Sequence, residues 1–287
     1  MSINYKIFGS SSNGSIGILL PNQMAGLIDG DTGFRAKCLS EATGLPTIAY
    51  ERPSTASQHK QMPFSVEGYL DNVEARSYEL SRYLSAIGIS ELVITGNSAA
   101  GLEAIAQGVA FSKIGDIAVK GILSLEPVGM RDTQEDSDIG TSNRELWQYF
   151  KAEMKADKTD IDDPMYRSLP KIAGPEKSAI AKAEMNKNIL KEFLAYRNVY
   201  CSDVCMRLLK ELSTNYRNVP VKLVLGDRSK ATTLALRHSI TTMFSNTSVQ
   251  TEFLPASHSF PDRNEVYVHE LKKFMRLYSD ELESVSR

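Results

Sequence analysis

The segment Gly96-Asn97-Ser98-Ala99-Ala100-Gly101 sets a serine between an apolar run, Leu92–Ile94, and a helical pattern, Leu102–Gln107. That order reads strand, tight turn, helix. Such a turn lifts a serine hydroxyl clear of a sheet, and small neighbours let the backbone pass. The helix start supplies N–H groups to a developing oxyanion. The chemistry this suits is nucleophilic attack by Ser98 on a carbonyl.

A serine nucleophile needs a base, and the chain has four histidines. His59 lies in a polar loop, His238 inside an expected helix and His269 in the final helix. His258, in Leu254-Pro-Ala-Ser-His-Ser-Phe-Pro261, follows an expected strand and precedes a helix. A loop at the carboxyl edge of a sheet can reach Ser98, so His258 is the expected base. A carboxylate must then hold the histidine's tautomer. Glu126 and Asp227 each follow the carboxyl end of an expected strand, and both stay open. Two N–H donors are needed for the oxyanion. Ala99 offers the first, and the loop after Ile16–Leu20 offers Asn22 or Gln23 as the second.

Other signals are weaker. Cys201 and Cys205 sit one helical turn apart without His or Cys partners in a ligand pattern, and read as small apolar residues rather than a metal site. Asp160-Ile-Asp-Asp163 lacks the glycine and distal glutamate of a calcium loop. Neither a dinucleotide fingerprint nor a phosphate loop is present. No cofactor is expected.

These residues must be positioned by the elements around them. Strands are expected at Asn4–Phe8, Ile16–Leu20, Pro46–Tyr50, the run before Ser98, Val119–Leu125, Val221–Leu225 and Val249–Leu254. The interleaved helices are Gly33–Thr43, Ser65–Ile87, Leu102 to about Phe111, Ala231–Phe244 and Asn264–Leu282. Ile16–Leu20 is wholly apolar and Val119–Leu125 largely so, and such strands alternating with helices predict a mainly parallel sheet covered on both faces. From about Arg131 to Tyr216 the pattern is helical and charged, which predicts a helical insertion over the carboxyl edge, where open α/β sheets bind ligands. Trp147, Tyr149, Phe150, Met154, Met165, Phe193, Tyr200 and Met206 in this block could line an apolar cavity, or form core beneath it.

The chain has 287 residues, 42% hydrophobic and 24% charged, with a net charge of -2. That is globular composition, long enough for one large α/β domain with an insertion. Nothing in it points to nucleic acid or an anionic membrane. The first residues carry no secretory pattern, and no apolar run approaches the ~18 residues of a membrane span. Three cysteines, few and odd in number, suit reduced thiols in the cytoplasm.

With Ser98, His258 and the interrupted alternation in hand, the chain resembles the α/β-hydrolase superfamily with a helical cap, over nearly its whole length. The elbow is similar to the family's Gly-x-Ser-x-Gly-Gly, with Ala100 in place of one glycine. Tyr50-Glu-Arg-Pro-Ser-Thr-Ala-Ser57 is similar to the loop after the family's fourth strand, with its glycines replaced. Ser257-His258 resembles the family's Gly-His. The resemblance implies a hydrolase core over 1–130 and 217–287 and a cap over 131–216. It also implies that Gln23 takes the place of the usual second oxyanion donor, although the family's His-Gly reads Pro21-Asn22 here. The usual acid, three residues past a glycine, falls on Ser229, whereas Asp227 is one past Gly226. Gly121-Ile-Leu-Ser-Leu-Glu126 is similar to members whose acid follows the sixth strand, a slight lean towards Glu126.

The function expected is that of a serine esterase: hydrolysis of an ester, thioester or related acyl bond through a catalytic triad and an acyl-enzyme. Acyl transfer and carbon–carbon hydrolysis on the same triad are alternatives, as is a ligand-binding protein with little turnover. The expected partner is a small molecule with an apolar portion, not nucleic acid or membrane. A homodimer stays open as an assembly.

Overall fold

The computed structural model describes residues 4–9, 15–22, 28, 30–52, 65–130, 161–176, 178–229 and 234–284. The chain runs β1 (Tyr5–Phe8), β2 (Ile16–Pro21), α1 (Asp31–Thr43), β3 (Thr47–Tyr50), α2 (Val66–Ala86), β4 (Glu91–Asn97), α3 (Ala99–Ile114) and β5 (Ala118–Leu125). After 160 it continues with α4 (Pro164–Arg167), α5 (Ala179–Tyr200), α6 (Val204–Asn215), β6 (Val221–Gly226), α7 (Leu234–Met243), β7 (Val249–Leu254) and α8 (Asn264–Ser284).

Among the described residues, seven strands form one sheet in the order β1-β3-β2-β4-β5-β6-β7. β1 pairs antiparallel with β3, and the remaining pairs are parallel. Residues two apart share a face of a strand, which divides the apolar runs between two cores. Leu19, Ile48, Leu92, Ile94, Ile122, Leu223 and Leu225 lie in one buried cluster with residues of α2, α3, α5, α6 and α7. Ile18, Leu20, Ala49, Val93, Leu123, Leu125 and Val224 lie in the other, with residues of α1 and α8. This is why strands such as Val93-Ile94 are apolar at successive positions: both faces are covered.

The helices start and stop where local chemistry directs. Ser65 caps α2 by accepting from Gly68 N–H at 3.0 Å. Gly115 ends α3 in the left-handed region at φ 78°, a conformation glycine adopts without steric cost. α3 is buried along one continuous stretch, Ala99 to Phe111. That matches its apolar sequence and its place between the sheet and α2 and α6. α6 packs beside α3 in the layer that covers the sheet. Of the expected helical block, residues 131–160 lie outside the described residues, with Trp147, Tyr149, Phe150 and Met154 among them.

Strand order reverses around β2: the chain steps outward to β3, then returns across β2 to β4. The crevice between the carboxyl ends of β2 and β4 is therefore the topological switch point of the sheet.

Candidate active site

Ser98 stands at this switch point, one residue past β4. Its backbone sits at φ 54° and ψ -121°. A non-glycine residue there carries strain of about 1–3 kcal/mol and needs surrounding contacts to hold it. Those contacts are present. Ser98 N–H donates to Leu125 O at 2.9 Å, and Ser98 O accepts from Gly101 N–H, Leu102 N–H and Val128 N–H at 3.0, 3.2 and 3.3 Å. The turn is tight enough that a Cβ on Gly96 would lie 2.0 Å from Ala100 O. A Cβ on Gly101 would lie 2.8 Å from Ser124 Oγ. Ala100, where the resemblance expects a glycine, is accommodated fully buried.

His258 reaches this serine from the loop after β7. Its Nε2 lies 3.2 Å from Ser98 Oγ, and its Nδ1 lies 2.7 Å from Glu126 Oε2. Glu126 follows β5 and is 1% exposed; its own φ of 48° turns the chain at the strand end. Its other carboxylate partners are the N–H of Gly226, on Oε1, and the hydroxyl of Ser229, 2.8 Å from Oε2. With two donors already on the carboxylate, Nδ1 completes the set as a third, which leaves Nε2 to accept from the serine hydroxyl.

Of the two open carboxylates, only Glu126 meets the histidine. Asp227 is 45% exposed and points to Arg228 Nε at 3.9 Å. The physical reason lies in the turn after β6. Asp227 N–H donates to Leu254 O at 2.7 Å, which extends the β6–β7 pairing by one residue. Its side chain then leaves on the solvent side. Two residues on, Ser229 is 3% exposed and turned inward. The position where the resemblance expects the acid thus carries a hydroxyl that holds the glutamate instead.

The oxyanion candidates divide. Ala99 opens α3, so its N–H has no partner within the helix. Asn22 N–H donates to Tyr50 O at 2.9 Å, and so it is taken by the sheet and cannot be the second donor. Asn22 is instead fully buried, with Oδ1 accepting from Arg52 N–H at 2.7 Å and its carbonyl accepting from Arg52 Nε at 2.6 Å. Gln23 lies outside the described residues.

The other described histidines do not approach. His238 is exposed on α7, His269 packs edge-on against Tyr166 with ring centroids 5.4 Å apart, and His59 lies outside the described residues. Cys205 is buried in the core, Cys38 and Cys201 are half-buried, and all three are free thiols. Burial pushes the Cys205 thiol well above its ordinary pKa. Among the described residues, no three His, Cys, Asp or Glu side chains cluster as a metal site. Of the residues suggested as cavity lining, Met165 is 44% exposed, whereas Phe193, Tyr200 and Met206 are buried in the larger core. None of the described helices is long and apolar enough to cross a membrane.

No protein-family model matches the chain, and no curated protein matches it by sequence. Solved structures do match over nearly its full length. A bromoperoxidase from Bacillus anthracis superposes with a TM-score of 0.58 at 13% identity, covering 97% of this chain and 95% of that one. A structure described among carboxylesterases of the ammonia-oxidising thaumarchaeon Nitrososphaera gargenis gives 0.56 at 13% identity, covering 97% and 96%. An N-formylmaleamic acid deformylase from Pseudomonas putida S16 gives 0.55 at 12% identity, covering 94% and 95%. A further match, from lagoon-sediment metagenome, is described as an alpha/beta hydrolase and gives 0.53 at 13% identity, covering 97% of each chain.

Proposed function

We propose that this chain, which has the α/β-hydrolase fold, is a serine hydrolase that cleaves an ester, thioester or related acyl bond. The observation that carries the reading is the hydrogen-bonded line from Ser98 through His258 to the buried Glu126. Ser98 attacks the carbonyl carbon while His258 Nε2 takes the hydroxyl proton. Glu126 steadies the imidazolium that forms, and is itself fixed by Gly226 N–H and Ser229. The oxyanion is received by the N–H of Ala99 and, as the family resemblance implies, by that of Gln23. His258 returns its proton to the leaving group, then activates the water that releases the acyl group.

The cap expected over 131–216 would shape the pocket, for a small molecule with an apolar portion. Structural neighbours that include a carboxylesterase and a deformylase favour acyl-bond hydrolysis over the other chemistries this scaffold hosts. Three free thiols fit a reducing compartment such as the cytoplasm.

A fluorophosphonate probe tests the reading. Wild type should be labelled at Ser98, and Ser98→Ala should lose the label while keeping its thermal unfolding transition. Folded wild type that takes no label, and turns over no acyl ester, overturns the proposal.

A further inference from the structure

Arg35 lies on α1, remote in sequence from every residue of the candidate triad, and is only 4% exposed. Its guanidinium reaches three chain segments at once. Nη1 donates to Asn97 Oδ1 at 2.9 Å, so one arm grips the residue next to the nucleophile. Nη2 donates to the carbonyls of Pro261 at 3.0 Å and Asp262 at 3.4 Å, the close of the short turn Phe260–Asp262 that begins two residues after His258. Nε donates to Asn264 Oδ1 at 3.1 Å, where α8 begins. The flat face of the group rests 4.5 Å from the Tyr267 ring centroid, and the Tyr267 hydroxyl is 3.0 Å from Thr95 Oγ1 on β4.

Every one of these acceptors is neutral. A buried arginine is ordinarily paired with a carboxylate, because desolvating the charge is costly. Among the described residues no carboxylate forms an ion pair with Arg35, and burial lowers its pKa from the ordinary value. A cation held this way is a poor device for stability alone. It is a good device for geometry, because a planar fork with fixed donor directions fixes its acceptors relative to one another.

We propose that Arg35 is a positioning residue, which sets the Ser98–His258 separation by clamping the nucleophile elbow and the histidine loop to one rigid group. Ser98 and His258 come from opposite sides of the sequence, and their contact of 3.2 Å is at the long limit for proton transfer. Asn97 fixes one side of that gap, and Pro261 and Asp262 fix the other. Arg35 bonds to both. The inference rests on the hydrolase reading for its kinetic consequence, but not for its structural one.

Arg35→Lys and Asn97→Ala test it. Lysine keeps the charge but offers one point donor in place of the fork. Both variants are first checked for a cooperative thermal transition. Three readouts follow: kcat and KM on a p-nitrophenyl acyl ester, the rate of fluorophosphonate labelling, and the far-downfield proton resonance of His258 Nδ1–H. The expected result is a kcat about 10–100-fold lower with KM little changed, slower labelling, and a His258 resonance broadened by exchange with water. Asn97→Ala should move all three in the same direction, and combining it with Arg35→Lys should cost less than the sum, since both break one bond. A folded Arg35→Lys with wild-type kcat and an unchanged His258 resonance overturns the proposal. If Arg35→Lys does not fold, the same outcomes are read from Asn97→Ala. If wild type neither labels nor turns over, the hydrolase reading falls, and the His258 resonance alone still decides for or against the clamp.

Discussion

At the scale of single residues, the notable exchange is between an acid and a hydroxyl. Ser229 occupies the place where the resemblance expects a carboxylate, and Glu126, from the neighbouring strand end, delivers that carboxylate to the same histidine nitrogen. This works because β5 and β6 are adjacent and parallel, so their carboxyl ends open on one pocket. A glutamate is one methylene longer than an aspartate, and from the end of β5 its Oε2 comes within 2.7 Å of His258 Nδ1. The roles predict opposite outcomes for the two carboxylates weighed from sequence. Glu126→Gln should lower turnover of an acyl ester by about 10⁴, the scale seen when a triad histidine loses its orienting charge. Asp227→Asn, at an exposed turn, should leave kcat/KM near wild type. Steady-state kinetics on both variants checks this, and a large loss in Asp227→Asn with none in Glu126→Gln would reverse the assignment.

At the scale of elements, β7 and α8 are joined to β6 by a charge cluster under the sheet. Lys222 on β6 lies 2.7 Å from Glu252 on β7 and 3.0 Å from the fully buried Glu270 on α8. Lys273 on α8 adds a second cation 2.5 Å from Glu252. Tyr166 on α4 donates to Glu270 at 2.5 Å, and burial followed by that bond drives the phenol's pKa far up. Burial alone would raise the Glu252 pKa, but hydrogen bonds from Lys222 and Lys273 outweigh it and hold the carboxyl below its ordinary 4.5. Because the folded-state value is the lower one, the unfolded chain binds the proton first. The stabilisation is present above pH 4.5 and drains away as pH falls below it. Thermal unfolding followed down through that window should therefore show a steeper acid loss for wild type than for Glu252→Gln; equal slopes would dismiss the role of this pairing.

None of this cluster could be read from sequence, because Lys222, Glu252 and Glu270 look like ordinary charged residues on separate elements. The elements themselves were legible. An apolar run such as Ile16–Leu20 has one stable use, a strand covered on both faces. Ser98 and His258 were legible for the same reason: each sits where a strand stops and a helix has yet to start. The acid was not, since Glu126 and Asp227 satisfy that local rule equally, and only strand adjacency and the outward turn at Asp227 separate them. Arg35 carried no local signal at all.

At the scale of the whole molecule, a buried polar network ties α5 to the sheet edge beside the site. Arg52, 2% exposed, follows β3 and bonds to Glu192 on α5 at 2.7 Å, with Glu192 fully buried. Tyr200, at the end of α5, donates to the same carboxylate at 2.9 Å. On its other side Arg52 holds the Asn22 carbonyl, so the helix, β3 and the carboxyl end of β2 share one cation. A second buried carboxylate, Glu103 on α3, accepts from Tyr50 at 3.0 Å and Tyr69 at 2.8 Å, joining the helix after Ser98 to β3 and α2. Burial works against the Arg52 charge, but Glu192 and then Tyr200 outweigh it and keep the guanidinium's pKa above its ordinary value. Such a pair contributes little net stability compared with apolar residues of the same volume, since desolvation offsets the attraction. Its two halves are nonetheless hard to part. Glu192→Gln would leave a buried guanidinium facing a neutral amide, and should destabilise the fold by about 3–5 kcal/mol in urea unfolding. Arg52→Met combined with Glu192→Leu removes both charges and should recover most of that loss, while leaving the end of β2 at Asn22 without its clamp. A cost below about 1 kcal/mol for Glu192→Gln would mean that water reaches the pair and that α5 is not anchored by it.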